Sequence, residues 1–211
     1  MRVAAVLVLL VVHNLVTNLW FPDRWYVPVN LATAGVVVAL GGTGLGLGSP
    51  AVGLAGAGVV LGAIATAAAV PRTRRLLADR RMAGVDARGT ARRALVRIPF
   101  GTVVLEEVAF RGVLPALVSP AGAAGLFGLW HIVPTARTLA VNGIVRGRRW
   151  AVVGAVVATT VAGLVLSAFA AAGGGLLSPA LVHVAANSGA TVAAYAVLPT
   201  ATSWRPRRRR P

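Results

Sequence analysis

Seven apolar runs divide the chain, at about 3–20, 29–47, 51–70, 98–118, 121–134, 151–172 and 176–198. A helix needs ~20 residues to cross the hydrocarbon core of a bilayer. All but the fifth run come close to that length or exceed it. The fifth is short and ends near Pro134, which predicts a tilted or partly embedded helix. The pattern predicts an all-α fold, a polytopic transmembrane helix bundle of about seven spans. The runs are rich in Ala, Gly and Val, and small residues let helices approach closely in lipid. Gly58-Val59-Val60-Leu61-Gly62 is a candidate for such an approach. The first run follows Met1-Arg2 as a signal peptide would. It has no clear small-residue cleavage site before Trp20-Phe21-Pro22, so it reads as a retained helix. His13, Asn14 and Asn18 within it read as polar groups that bond neighbouring helices or lie near the interface.

Composition narrows the class. Of the 211 residues, 57% are hydrophobic and 12% are charged, against roughly 45–50% and 25% in soluble domains. This excludes an ordinary cytosolic domain and a disordered chain, and the lack of Cys excludes a disulfide scaffold. The net charge is +16, and all 21 basic residues are Arg. Such charge can signal nucleic-acid binding, but its placement argues against that partner. Segment 71–97 carries nine Arg, 135–149 carries four and the tail five. If 71–97 is cytoplasmic, seven spans place 21–28, 135–149 and the tail on the same side, and 19 of 21 Arg fall there. The opposite turns, near 48–50, 119–120 and 173–175, hold no charge. This is the positive-inside pattern, and it predicts a cytoplasmic C-terminus. Segment 71–97 reads as a topology anchor, with a basic amphipathic helix on anionic lipid as the alternative. The Gly-rich stretch 41–48 lacks the Gly-Lys-Ser/Thr ending of a phosphate loop.

A few residues do not belong in lipid. Glu106 and Glu107 are adjacent within the fourth run, and Arg111 follows Glu107 by four. Ionisable groups in a span face the protein interior or a water-filled cavity. Glu107 and Arg111 share a helix face and can pair, while Glu106 is turned away by about 100°. One Glu therefore reads as structural and the other as chemical. His131 lies in the fifth run, and His183 and Asn187 lie on one face of the seventh. Three chemistries fit this set. Glu and His can activate water while His and Asn donate to an oxyanion, which suits amide hydrolysis. Two His and a carboxylate can bind zinc, although His-Glu-x-x-His is absent. The same groups can form a proton or ion path. No Ser-His-Asp set can be assembled, because every Asp falls in a segment read as cytoplasmic.

The motifs Glu106-Glu107-Val108-Ala109-Phe110-Arg111, Phe127 to His131 and His183 to Asn187 resemble those of the CPBP family. This is the family of CAAX proteases and bacteriocin-processing enzymes, also called Abi or Rce1-like intramembrane proteases. Three motifs in order, each within an apolar run, span about residues 98–195. The resemblance implies a four-helix catalytic core with variable outer helices. It divides the chain into outer helices and a basic segment at 1–97, the catalytic core at 98–198 and a basic tail at 199–211. It implies Glu106 as the general base with His131 assisting, and His183 and Asn187 at the oxyanion. Glu107 and Arg111 are then expected to orient Glu106, with Phe127 as a supporting residue. A metal-free glutamate mechanism is preferred and no cofactor is expected. In the zinc alternative the ligands are Glu106, His131 and His183. The expected substrate is a membrane-embedded or membrane-anchored peptide, cut near the cytoplasmic side of what reads as a bacterial cell membrane. The partners are thus this peptide and the lipid bilayer, not nucleic acid. The other readings are a non-catalytic bacteriocin-immunity or scaffold protein of the same fold, and a proton-coupled transporter.

Overall fold

The structure is a computed structural model describing residues 1–42 and 45–198. Among the described residues the regular elements are all helical. They are α1 (Arg2–Leu19), α2 (Tyr26–Gly41), α3 (Ala51–Ala69), α4 (87–118), α5 (Pro120–Trp130), α6 (Ile132–Val141), α7 (Arg148–Gly173) and α8 (Leu177–Val197). Short helical turns occupy 23–25, 71–77 and 80–82.

Four helices, α1, α3, α7 and α8, are long and apolar enough to cross a membrane. The α2 helix has 16 residues, about 24 Å. The α4 helix is longer than a bilayer core but carries the charged residues of the fourth run. The fifth run departs from expectation. It breaks at His131, not at Pro134, into α5 and α6. Pro134 sits in the first turn of α6, where its missing N–H costs that helix nothing. With eleven residues, α5 is about 17 Å long and too short to span alone.

The α4 helix alternates α-type with wider π-type turns at Arg93–Val103 and Val108–Val113. Pro99 lies in the first wide stretch and donates no hydrogen bond. In five-residue spacing its partner would be the Ala94 carbonyl, which instead accepts from Ser188 Oγ of α8 at 2.7 Å. A neighbouring helix thus supplies the missing donor, as a lipid-embedded backbone requires. Ser119, at φ +122°, turns the chain between α4 and α5, and its Oγ accepts from Gly122 N.

The core joins α1 (Val6, Leu10), α2 (Ala34, Val37), α4 (Leu105, Ala109, Phe110, Val113, Leu114) and α5 (Ala123, Phe127). The α3 helix lies outside it, with Gly53 its one buried residue. There Gly53 N donates to Ser178 Oγ at 3.0 Å, and a Cβ at this position would stand 2.5 Å from the Ser178 backbone. The close approach expected at Gly58 and Gly62 is absent, since neither meets anything within 4 Å. Gly53 and Gly56 face α7 and α8, whereas Gly58 and Gly62 are exposed.

The bundle has two unlike ends. At one, Arg97 pairs with Asp23 at 2.8 Å, and Asn142 bonds both Asp79 and the Arg80 amide. These contacts gather the Arg-bearing segments. At the other, uncharged segments 46–49 and 173–177 exchange backbone bonds: Ser49 N to Gly173 O, Leu176 N to Gly46 O and Leu177 N to Leu47 O. The Arg-rich tail 199–211 lies outside the described residues.

Candidate active site

Buried ionisable groups converge where α4, α5 and α8 meet. Glu106, Glu107, Arg111 and His183 are each at most 8% exposed. Arg111 Nη1 donates to Glu107 Oε1 at 3.1 Å, the i,i+4 pair that helix geometry allows. The same oxygen lies 2.6 Å from His183 Nδ1. The other ring nitrogen, Nε2, stands 3.5 Å from Glu106 Oε2. One imidazole therefore bridges the two carboxylates, although successive residues leave a helix in different directions. The family resemblance implies that Glu107 and Arg111 orient Glu106; the direct partners of Glu107 Oε1 are Arg111 Nη1 and His183 Nδ1.

Glu106 is held by its other oxygen, where Oε1 accepts from Trp130 Nε1 at 2.9 Å. Its Oε2 is buried with no hydrogen-bond partner among the described residues. Phe127 packs between the motifs. The Arg111 guanidinium lies 4.1 Å over its ring, and His131 and His183 meet the ring edge to face at 4.6 and 5.9 Å.

His131 is less buried and occupies the break between α5 and α6. Its Nδ1 lies 2.7 Å from the Phe127 carbonyl. A carbonyl only accepts, so Nδ1 is the donor in this contact. Asn187 lies one turn beyond His183 on α8 and is half-buried. Its amide makes no hydrogen bond among the described residues. The structure thus brings Glu106, Glu107, Arg111, Phe127 and His183 into one cluster. It links His131 to them through Phe127 and leaves Asn187 beside them.

Trp130 is a site residue that the sequence reading missed. Its one signal is position, immediately before His131 in an otherwise apolar run. The zinc set of Glu106, His131 and His183 does not converge. Among the described residues no three His, Cys, Asp or Glu side chains are grouped to hold a metal. His183 Nδ1 is already engaged by Glu107.

The cluster sets two buried carboxylates against one guanidinium and one imidazole, and buried charges in such a setting must be paired.

A Glu–His pair buried inside an all-α bundle with four membrane-length helices is a candidate intramembrane site. Residues 90–189 match the family described as Type II CAAX prenyl endopeptidase Rce1-like, a match consistent with the CPBP/CAAX protease family. The matched segment contains every residue of the cluster. No curated protein and no solved structure matches the chain. The protein is accordingly an integral membrane protein, an intramembrane endopeptidase in general class.

Proposed function

We propose that this protein hydrolyses peptide bonds of membrane-embedded or membrane-anchored peptides with a water activated by Glu106. The observation that carries this reading is the state of Glu106. One oxygen is fixed by Trp130, while the other is buried, free of protein donors and 3.5 Å from His183 Nε2.

Glu106 Oε2 accepts a proton from water as the oxygen attacks the peptide carbonyl. His131 Nε2 accepts the second water hydrogen bond and steers the attack. His183 Nε2–H and the Asn187 amide donate to the developing oxyanion. Glu107 holds His183 by Nδ1 and turns Nε2 toward Glu106. The carbon–nitrogen bond then breaks, and Glu106 returns its proton to the leaving amine. No metal or cofactor is required. Loss of cleavage in Glu106→Gln, with the variant still inserted, is the expected result. Retained cleavage removes Glu106 from the mechanism.

The Arg-rich end faces the cytoplasm of a bacterial cell membrane, as the positive-inside rule favours. Along α4, Glu106 lies about 14 Å from Arg97 and about 18 Å from Val118, so cleavage falls nearer the cytoplasmic side. The chain has no Cys, so single cysteines test this directly. An impermeant thiol reagent applied to intact cells should label Ser49→Cys and spare Arg146→Cys. The reverse pattern would invert the orientation.

A further inference from the structure

Trp130 is held by four residues, and two of them lie outside the matched segment. Its indole N–H donates to Glu106 Oε1 at 2.9 Å. Its carbonyl is released from helical bonding, because the residue four positions on is Pro134 and has no N–H. Asn14 Nδ2 of α1 donates to that carbonyl at 3.0 Å. Its ring lies parallel to the His13 ring, at 6.3 Å between centroids and 9° between planes. Phe110 of α4 meets the indole edge to face at 5.6 Å.

His13 is itself fixed at both nitrogens. Nε2 lies 3.1 Å from Asn30 Oδ1, and Nδ1 lies 3.0 Å from Thr33 Oγ1, both on α2. Asn30 in turn donates to the Tyr26 carbonyl at 2.6 Å. His13, Asn14, Asn30 and Thr33 are all buried. Polar side chains in lipid are costly unless bonded, and bonding between α1 and α2 accounts for His13. It does not account for Asn14, whose amide reaches past α2 to the one carbonyl of α5 that Pro134 releases.

We infer that α1 and α2 are a positioning device for the general base, with Asn14 and His13 fixing Trp130 so that its indole orients the Glu106 carboxylate. The inference rests on the role of Glu106 given above. Trp130 acts through Glu106 and touches no reacting atom. A donor on one carboxylate oxygen favours the ionised form and directs the second oxygen to the water. The charged or titratable groups around Glu106 are Glu107 and Arg111 on α4 and His183 on α8. Tyr26 on α2 is within electrostatic reach, His131 follows Trp130, and His13 lies behind it.

Two readouts test this. In isolated membranes, Trp130→Phe keeps an aromatic ring and loses only the donor. It should slow the formation of new peptide termini about tenfold, the rate equivalent of one hydrogen bond to a charged group. It should also move the acid limb of the pH–rate profile to higher pH, and Asn14→Ala should shift it the same way by less. An unchanged acid limb in Trp130→Phe would overturn the inference, because a purely structural loss lowers the rate without moving it. The second readout needs no substrate. A protein in which Trp20, Trp25, Trp150 and Trp204 are Phe reports Trp130 alone by fluorescence. Its emission should show a pH step that Glu106→Gln abolishes and Asn14→Ala moves to higher pH. A step that persists unchanged in Glu106→Gln would overturn the contact. If cleavage survives Glu106→Gln while the step vanishes, the catalytic role of Glu106 fails and the Trp130–Glu106 link stands.

Discussion

Glu107 Oε1 stands 2.6 Å from His183 Nδ1, joining residues 76 positions apart in the sequence. The same oxygen accepts from Arg111. A single buried carboxylate oxygen therefore anchors His183 to α4 and pairs with the guanidinium beside it.

Removing either member of the Glu107–Arg111 pair leaves an unpaired buried charge. Glu107→Ala and Arg111→Ala should each destabilise the bundle by about 3–5 kcal/mol. The double variant should lose less than the two single losses together. Thermal melting in detergent measures all three. Melting unchanged in both single variants would contradict the pairing.

Gly128 marks the close crossing of α5 and α7, where a Cβ would collide with Thr160 and the Val156 carbonyl. Gly128→Val should destabilise by at least about 1–3 kcal/mol and displace the Phe127–His131 motif. Gly58→Val, on the open face of α3, should leave melting and activity near wild type. The same melting assay separates the two.

Asp79 clasps the Arg-rich end. It accepts from the Arg81 amide and guanidinium and from Asn142. Burial pushes its carboxyl up, but these donors outweigh burial and hold it below the usual Asp range. A depressed folded-state pKa contributes stability above the unfolded value, about 3.9, and this is lost as pH falls through the folded value. Protease sensitivity of segment 75–97 should therefore rise below about pH 4. Asp79→Asn should show that sensitivity at neutral pH as well. A wild-type profile flat to pH 2 would contradict the clasp.

A metal-free route predicts insensitivity to chelation. Membranes treated with EDTA or phenanthroline should keep their cleavage rate. Loss of activity restored by one specific metal would replace the glutamate route with a metal-assisted one.

Much of this arrangement is legible in the sequence where one helix carries the information. Glu107 and Arg111 lie four apart, so their pairing follows from helix geometry alone. The two unlike ends follow from where Arg residues fall between apolar runs. Contacts between helices are less legible. Nothing in the spacing tells that His183 reaches both Glu106 and Glu107, because their adjacency predicts divergence. Trp130 reads as one more apolar residue, since an indole donates only once a partner is brought to it. Asn14 acquires its purpose only from Pro134, 120 positions away. The helix break falls at His131, three residues before Pro134, because that proline sits in the first turn of the next helix rather than ending the one before it. Gly58 and Gly62 have the right composition for close packing but the wrong phase.

The most direct test of the central claim compares membrane peptidomes. Cells expressing wild type and Glu106→Gln at matched, correctly inserted levels are analysed by mass spectrometry for new peptide termini, in the native organism. Termini that appear only with wild type, and vanish equally in His131→Ala, are the predicted result and name the substrates. Identical termini in wild type and Glu106→Gln would contradict a Glu106-activated water.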